Sequence, residues 1–205
     1  MFVADLLRHG ELKGGVKYRG HIEEDLTEAG LCQMNHVWQH IRHDIDVIIT
    51  SPLSRCALPA QQWAKEHAIP CIIDERIVEM NYGEWEGMSH DEIETFFPGS
   101  LKQWRNDPTG MRPPKGESPE ELQARIINFW DDACQTYQNK HALIVAHSGS
   151  TRMLIAHIQK QPISYTRNIA MPYACWSRAK HKDHQSNMVF INNPRAPKQR
   201  VIEMP

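Results

Sequence analysis

Phe2-Val3-Ala4-Asp5-Leu6-Leu7-Arg8-His9-Gly10-Glu11 is the stretch whose reading decides the fold. Residues 2–7 form a mostly apolar run of strand length, and the run stops at a glycine. A buried strand that ends this way leaves Arg8 and His9 at the carboxyl edge of a sheet, where open α/β folds bind their ligands. The pattern recurs in Ala142-Leu143-Ile144-Val145-Ala146, followed by His147 and Ser148-Gly149. Two strand-end histidines with arginines nearby suit the holding and attacking of a phosphoryl group.

Between these strands the periodicity alternates. Thr27 reads as an N-cap, with Leu31, Met34, Trp38 and Ile41 at helical spacing after it. Residues 46–50 read as a short buried strand. Ser51-Pro52 reads as the opening of a helix that carries Arg55 and runs to about residue 67, and residues 70–73 as the next strand. Strands alternating with helices predict a parallel sheet with right-handed crossovers. Residues 80–117 break the alternation, with turn residues and two short helices over 89–97 and 101–106; Ser89 and Glu92 are spaced as a capping box. This stretch reads as a cap inserted over the strand ends. Ser118-Pro119-Glu120-Glu121 starts a longer helix, expected to reach about residue 139. The tail reads as a strand pair, 173–182 and 187–193, around a polar turn. The expectation is one α/β domain over 1–205: a three-layer sandwich with a mainly parallel central sheet and a small helical cap insertion.

Composition narrows the function. The chain has 205 residues, a formal net charge of −2 and a sequence pI near 6.6, so no basic field points to nucleic acid. No apolar run approaches the ~20 residues of a membrane helix. The first residues lack the basic and apolar regions of a signal peptide. Five scattered cysteines, without a C-x-x-C, fit reduced thiols and a cytoplasmic setting. Twelve histidines raise the question of a metal. His36 and His40, with His43 beyond, share a polar helix face, and His181-x-x-His184 near Cys175 lacks a partner pair. No metal or cofactor is expected, and the expected partner is a small-molecule phosphomonoester.

The chemistry follows from the residue types. A guanidinium offers a planar fork of donors matched to two phosphate oxygens. Arg8 at one strand end and Arg55 in the helix after another strand can converge on one point. Their fixed charge favours a neutral His9, able to attack phosphorus. The backbone N–H of Ser148, at the start of a helix, adds a donor. Attack by His9 makes a phosphohistidine and splits the reaction into two displacements. The departing alkoxide then needs an acid. Glu79 is the candidate, with Glu84 and Glu86 as alternatives on position alone. Trp85 and Trp104 suit either packing or stacking on a flat base. Arg125 and Arg152, on helices, read as ion-pair or surface residues.

The motifs LLRHGE (6–11), DLTEAG (25–30), TSPLSRC (50–56), VEMNYGEWEG (78–87), GES (116–118) and VAHSGSTRML (145–154) together resemble the histidine phosphatase superfamily, of phosphoglycerate mutase-like fold. The resemblance spans nearly the whole chain. It implies His9 as nucleophile, a phosphate pocket of Arg8, Arg55 and His147, Glu79 as proton donor, and no metal. The loop GGVKYRGHIEEDLTEAG (14–30) looks most like α-ribazole phosphatases, which act in cobalamin nucleotide-loop assembly. Leu12 and Gly-rich sequence stand where the family more commonly has Thr and, a few residues on, Asn, which weakens any transfer of the mutases' substrate contacts. The expected substrate is α-ribazole 5′-phosphate. The alternatives are another small metabolite such as a sugar phosphate, a phosphoglycerate mutase, and a non-catalytic binder of phospho-ligands.

Overall fold

The structure, a computed structural model, describes residues 1–193. Its sheet has six strands: β1 (Phe2–Arg8), β2 (Val47–Thr50), β3 (Cys71–Ile73), β4 (His141–Ala146), β5 (Trp176–Lys182) and β6 (Gln185–Phe190), in the order β3-β2-β4-β1-β5-β6. The first four run parallel, and β5 and β6 add an antiparallel edge. The β5–β6 turn is made by Asp183 and His184, both at positive φ (51° and 61°), the geometry of a tight two-residue hairpin.

Strand periodicity sorts the two faces. Phe2, Ala4 and Leu6 point to one core, shared with α5 (Pro119–Thr136) and α6 (Ser148–Ile158). Leu7 points to the other, shared with α1 (Glu28–Ile41) and α2 (Ser54–His67). The result is the three-layer sandwich with a mainly parallel sheet that the alternation predicts. In the second core Trp38 and Trp63 stack with centroids 5.2 Å apart. Asp5 also faces that side and is fully buried, a carboxylate inside a run otherwise read as apolar. It is met by Arg178 through two bonds (2.7 and 2.9 Å), His141 Nε2 (2.8 Å) and Trp176 Nε1 (2.7 Å). Burial alone would raise its pKa; these hydrogen bonds outweigh burial and hold the carboxyl below its ordinary value.

Caps set the helix starts. The Thr27 side chain accepts from the Gly30 N–H, and Ser118 with Glu121 closes a capping box with Pro119 at the first helical position. Helix α2 starts three residues later than its sequence suggests. Ser51-Pro52 stays outside, Leu53 takes the N-cap position, and the Ser54 N–H is capped by the Glu23 carboxylate at 3.0 Å. Helices α3 (His90–Phe96) and α4 (Ser100–Asn106) share a small core of their own, formed by Trp85, Ile93 and Leu101.

Candidate active site

The carboxyl ends of β1, β4 and β2 lie side by side. Arg8 is in register with Ala146, and the His9 N–H donates to the Ala146 carbonyl at 3.0 Å. The Ser51 N–H donates to Val145 at 3.0 Å on the other side of β4. Residues that follow these strands therefore meet at one rim. Gly10 lets the chain leave that rim: a β-carbon there would stand 2.0 Å from the Gly30 carbonyl oxygen, so the loop after β1 presses directly on the start of α1.

A cavity of about 180 Å³ opens at the rim, and Arg8, His9, Arg55, Glu79 and Ser148 all line it. His147 stands behind that lining, fully buried, its ring 5.4 Å from that of His9. The six residues singled out in the sequence thus come together, five on the wall and one beneath it.

Each imidazole has a defined tautomer. His9 Nδ1 lies 2.8 Å from the Gly10 carbonyl, which only a protonated nitrogen can satisfy, so the Nε2 lone pair is free for the cavity. His147 Nδ1 accepts from Arg55 Nε at 3.2 Å, so the proton sits on Nε2, which donates to Ser51 Oγ at 2.7 Å. Burial, then the Arg8 and Arg55 guanidinia, holds the His9 pKa well below the usual imidazole value. Burial, then Arg55, does the same to His147. Both rings are neutral near pH 7.

The arginines are fixed by carbonyls rather than carboxylates. Arg55 donates to the carbonyls of Gly20 (2.6 Å) and Ile22 (2.8 Å), which ties the 13–24 loop over the site. Arg8 donates to the Met171 carbonyl and lies over the Tyr173 ring at 4.3 Å. Its Nε is buried without a protein acceptor, which leaves a donor of the fork unspent.

Glu79 is placed by its backbone and by α6. Arg125 donates to the carbonyls of Arg76, Val78 and Glu79 while its guanidinium pairs with Glu117. The Glu79 carboxylate accepts from the N–H groups of Met80 (2.9 Å), Gly149 (3.1 Å) and Ser150 (3.2 Å). Glu84 instead pairs with Lys115, and Glu86 accepts from the backbone of His21 and Tyr82. Neither lines the cavity.

Several wall residues were not singled out. Arg152, read as an ion-pair or surface residue, is half-buried, lines the cavity, and donates to Ser148 Oγ at 2.8 Å. Its i−4 spacing from Ser148 was the available signal. Arg125, given the same reading, is an ion-pair residue. Arg19, buried and paired with Glu24, also lines the wall, with Tyr18, Tyr82, His90 and Trp104 around the mouth. Trp85 lies in the small α3–α4 core and Trp104 on the wall, so only Trp104 can meet a ligand there. Among the described residues no group of three or more His, Cys, Asp and Glu is arranged to hold a metal, and no helix is long and apolar enough to cross a membrane.

Comparison with known proteins identifies the family. The family model of the histidine phosphatase superfamily (branch 1) matches residues 5–194. The adenosylcobalamin/alpha-ribazole phosphatase of Salmonella typhimurium is 30% identical over 177 residues, 84% of this chain and 87% of that protein. Phosphoserine phosphatase 1 of Hydrogenobacter thermophilus is 26% identical over 191 residues, 92% of this chain and 90% of that protein. The structure of Bacillus stearothermophilus YhfR superposes with a TM-score of 0.87 at 24% identity, over 92% of this chain and 96% of that one. The chain belongs to the histidine phosphatase superfamily.

Proposed function

We propose that the protein is a metal-independent phosphomonoesterase that works through a phosphohistidine on His9. The observation that carries this reading is the neutral His9, its Nδ1 proton held by Gly10 and its Nε2 free, between two guanidinia in one cavity. The phosphoryl group lies between Arg8 and Arg55, with the Ser148 N–H at the α6 terminus as a further donor. His9 Nε2 attacks phosphorus, the P–O bond to the leaving group breaks, and the departing oxygen takes a proton from Glu79. Water then attacks the phosphohistidine, giving its proton to the Glu79 carboxylate; the P–N bond breaks, which returns His9 and releases inorganic phosphate. His147 acts from beneath, holding Arg55 through its Nδ1. A binder without catalysis needs neither a free imidazole nitrogen nor a carboxyl beside it.

The proposed substrate is α-ribazole 5′-phosphate. Trp104, Tyr18 and Tyr82 offer aromatic surface to a flat base at the cavity mouth, and a relative of 30% identity carries the α-ribazole phosphatase name. Segment 80–117, which supplies Trp104 and His90, is the proposed cap, and the whole chain is the proposed single domain. Steady-state kinetics test the substrate. The specificity constant for α-ribazole 5′-phosphate is expected to exceed that for 3-phosphoglycerate by more than tenfold, about 1.4 kcal/mol in transition-state binding. Equal values, or phosphate transfer between glycerate hydroxyls, would favour a sugar-phosphate phosphatase or a mutase.

A further inference from the structure

A second cavity of about 360 Å³ adjoins the first and shares Tyr18, Tyr82, His90, Trp104 and Arg152 with it. Arg105 and Arg167 are added on its far side, and among the described residues no carboxylate lines it. The three arginines are held by neutral partners. Arg152 Nε donates to the Ile169 carbonyl at 2.8 Å, Arg105 Nη2 lies 2.7 Å from His90 Nδ1, and Arg167 donates to the Asn106 carbonyl.

Five other guanidinia are paired differently. Arg19, Arg76, Arg112, Arg125 and Arg178 each meet a carboxylate. Among the described residues Arg8, Arg42, Arg55, Arg105, Arg152 and Arg167 do not. Arg42 faces His67; every other member of that group lines one of the two cavities. Asp107 lies within electrostatic reach of Arg167, but its carboxylate accepts from Thr109 instead. A phosphoryl dianion between Arg8 and Arg55 satisfies those two charges. It leaves Arg105 and Arg167 beyond the aromatic wall and Arg152 between the two cavities, all three oriented and without a carboxylate bonded to them.

We propose that the outer cavity binds a second oxyanion carried by the leaving group, set beyond a flat or sugar-sized spacer that lies against Tyr82 and Trp104. The proposal rests on the reading of the inner cavity as a phosphomonoesterase, and it adds a charge preference that this reading does not contain. An uncharged leaving group such as ribazole then makes the smaller substrate, turned over with the outer arginines unengaged.

A matched pair of synthetic esters tests this. The phosphate of 4-(hydroxymethyl)benzoate carries a carboxylate across a flat ring; its methyl ester has the same shape without the charge. The specificity constant for the carboxylate is expected to be at least tenfold higher in the wild-type protein, with the gap narrowing as salt is added. A third arm with a methyl phosphonate in place of the carboxylate reports whether the site prefers a phosphodiester-like anion. The double variant Arg105→Gln, Arg167→Gln should bring the ratio close to one, and Thr166→Glu, which sets a carboxylate on the same wall, should invert it. A ratio near one in the wild type, with both esters turned over, overturns the second-anion site and leaves the hydrolase standing. Failure to hydrolyse these esters and p-nitrophenyl phosphate alike, with no phosphate on His9, overturns both.

Discussion

Replacing Glu79 with Gln keeps the side chain's length and removes its transferable proton. The structure shows that the change is not silent. Oε1 accepts from Met80 and Ser150 and Oε2 from Gly149. A carboxamide has a single oxygen. Placed at the Oε1 position it keeps two of these bonds and turns its NH₂ toward the Gly149 N–H, donor against donor. One unmet N–H at a partly buried helix start costs about 1–3 kcal/mol. For a chain of this size that lowers the melting midpoint by about 2–12 °C. The chemical effect is separate. Without a proton donor, phosphoryl transfer from an alkyl phosphate should slow by roughly 10²–10⁴, about 3–5 kcal/mol of barrier. p-Nitrophenolate leaves with little help, so transfer from its phosphate should slow far less. Rapid-quench single turnovers on the two substrates, beside a thermal melt, separate the effects. If both substrates slow by the same factor, Glu79 is not the leaving-group acid and its role is confined to holding the start of α6.

Three further outcomes follow from the same geometry. A β-carbon at Gly149 would stand 2.5 Å from Glu79 Oε1, so Gly149→Ala should push the carboxylate aside and slow alkyl phosphates by about 10- to 100-fold, within the span of general acid catalysis; unchanged turnover would show that the carboxylate's position is not critical. His9 and His147 both have pKa values well below the ordinary 6.5, chiefly through burial. Below that pH the unfolded chain binds protons that the folded one refuses, so stability should fall with pH by up to about 1.4 kcal/mol per unit for each ring. Urea unfolding between pH 5 and 6.5 should show a shallower slope for His9→Gln, and equal slopes would refute the assignment. If the proposed placement of the phosphoryl group between Arg8 and Arg55 holds, exhaustive chelation should leave turnover unchanged; loss of activity restored by a divalent ion would contradict this.

Much of the fold was legible because it rests on local periodicity. The runs at 2–7 and 142–146 are strands because alternate residues find a core on each face, and Thr27 and Ser118 cap helices with their own side chains. What escaped depends on distant partners. Helix α2 is capped by Glu23, 31 residues upstream, so Ser51-Pro52 looked like its start. Asp5 is tolerated in a central strand because Arg178 and His141 arrive from two other strands. Arg8, His9, Arg55, His147 and Ser148 were visible because strand ends and helix starts bring them to one rim; Glu79 sits in irregular backbone held by Arg125 and was visible through its motif. Arg152 was misread because a helix surface looks the same whether it faces solvent or a cavity.

Rapid quench with ³²P-labelled substrate, followed by peptide mapping, tests the central claim most directly. The phosphoryl group should be trapped on His9 as an acid-labile, base-stable adduct that forms and decays within the turnover time, and His9→Ala should lose both label and activity. Label that persists in His9→Ala, or turnover with no phosphoenzyme at all, would contradict a His9 nucleophile.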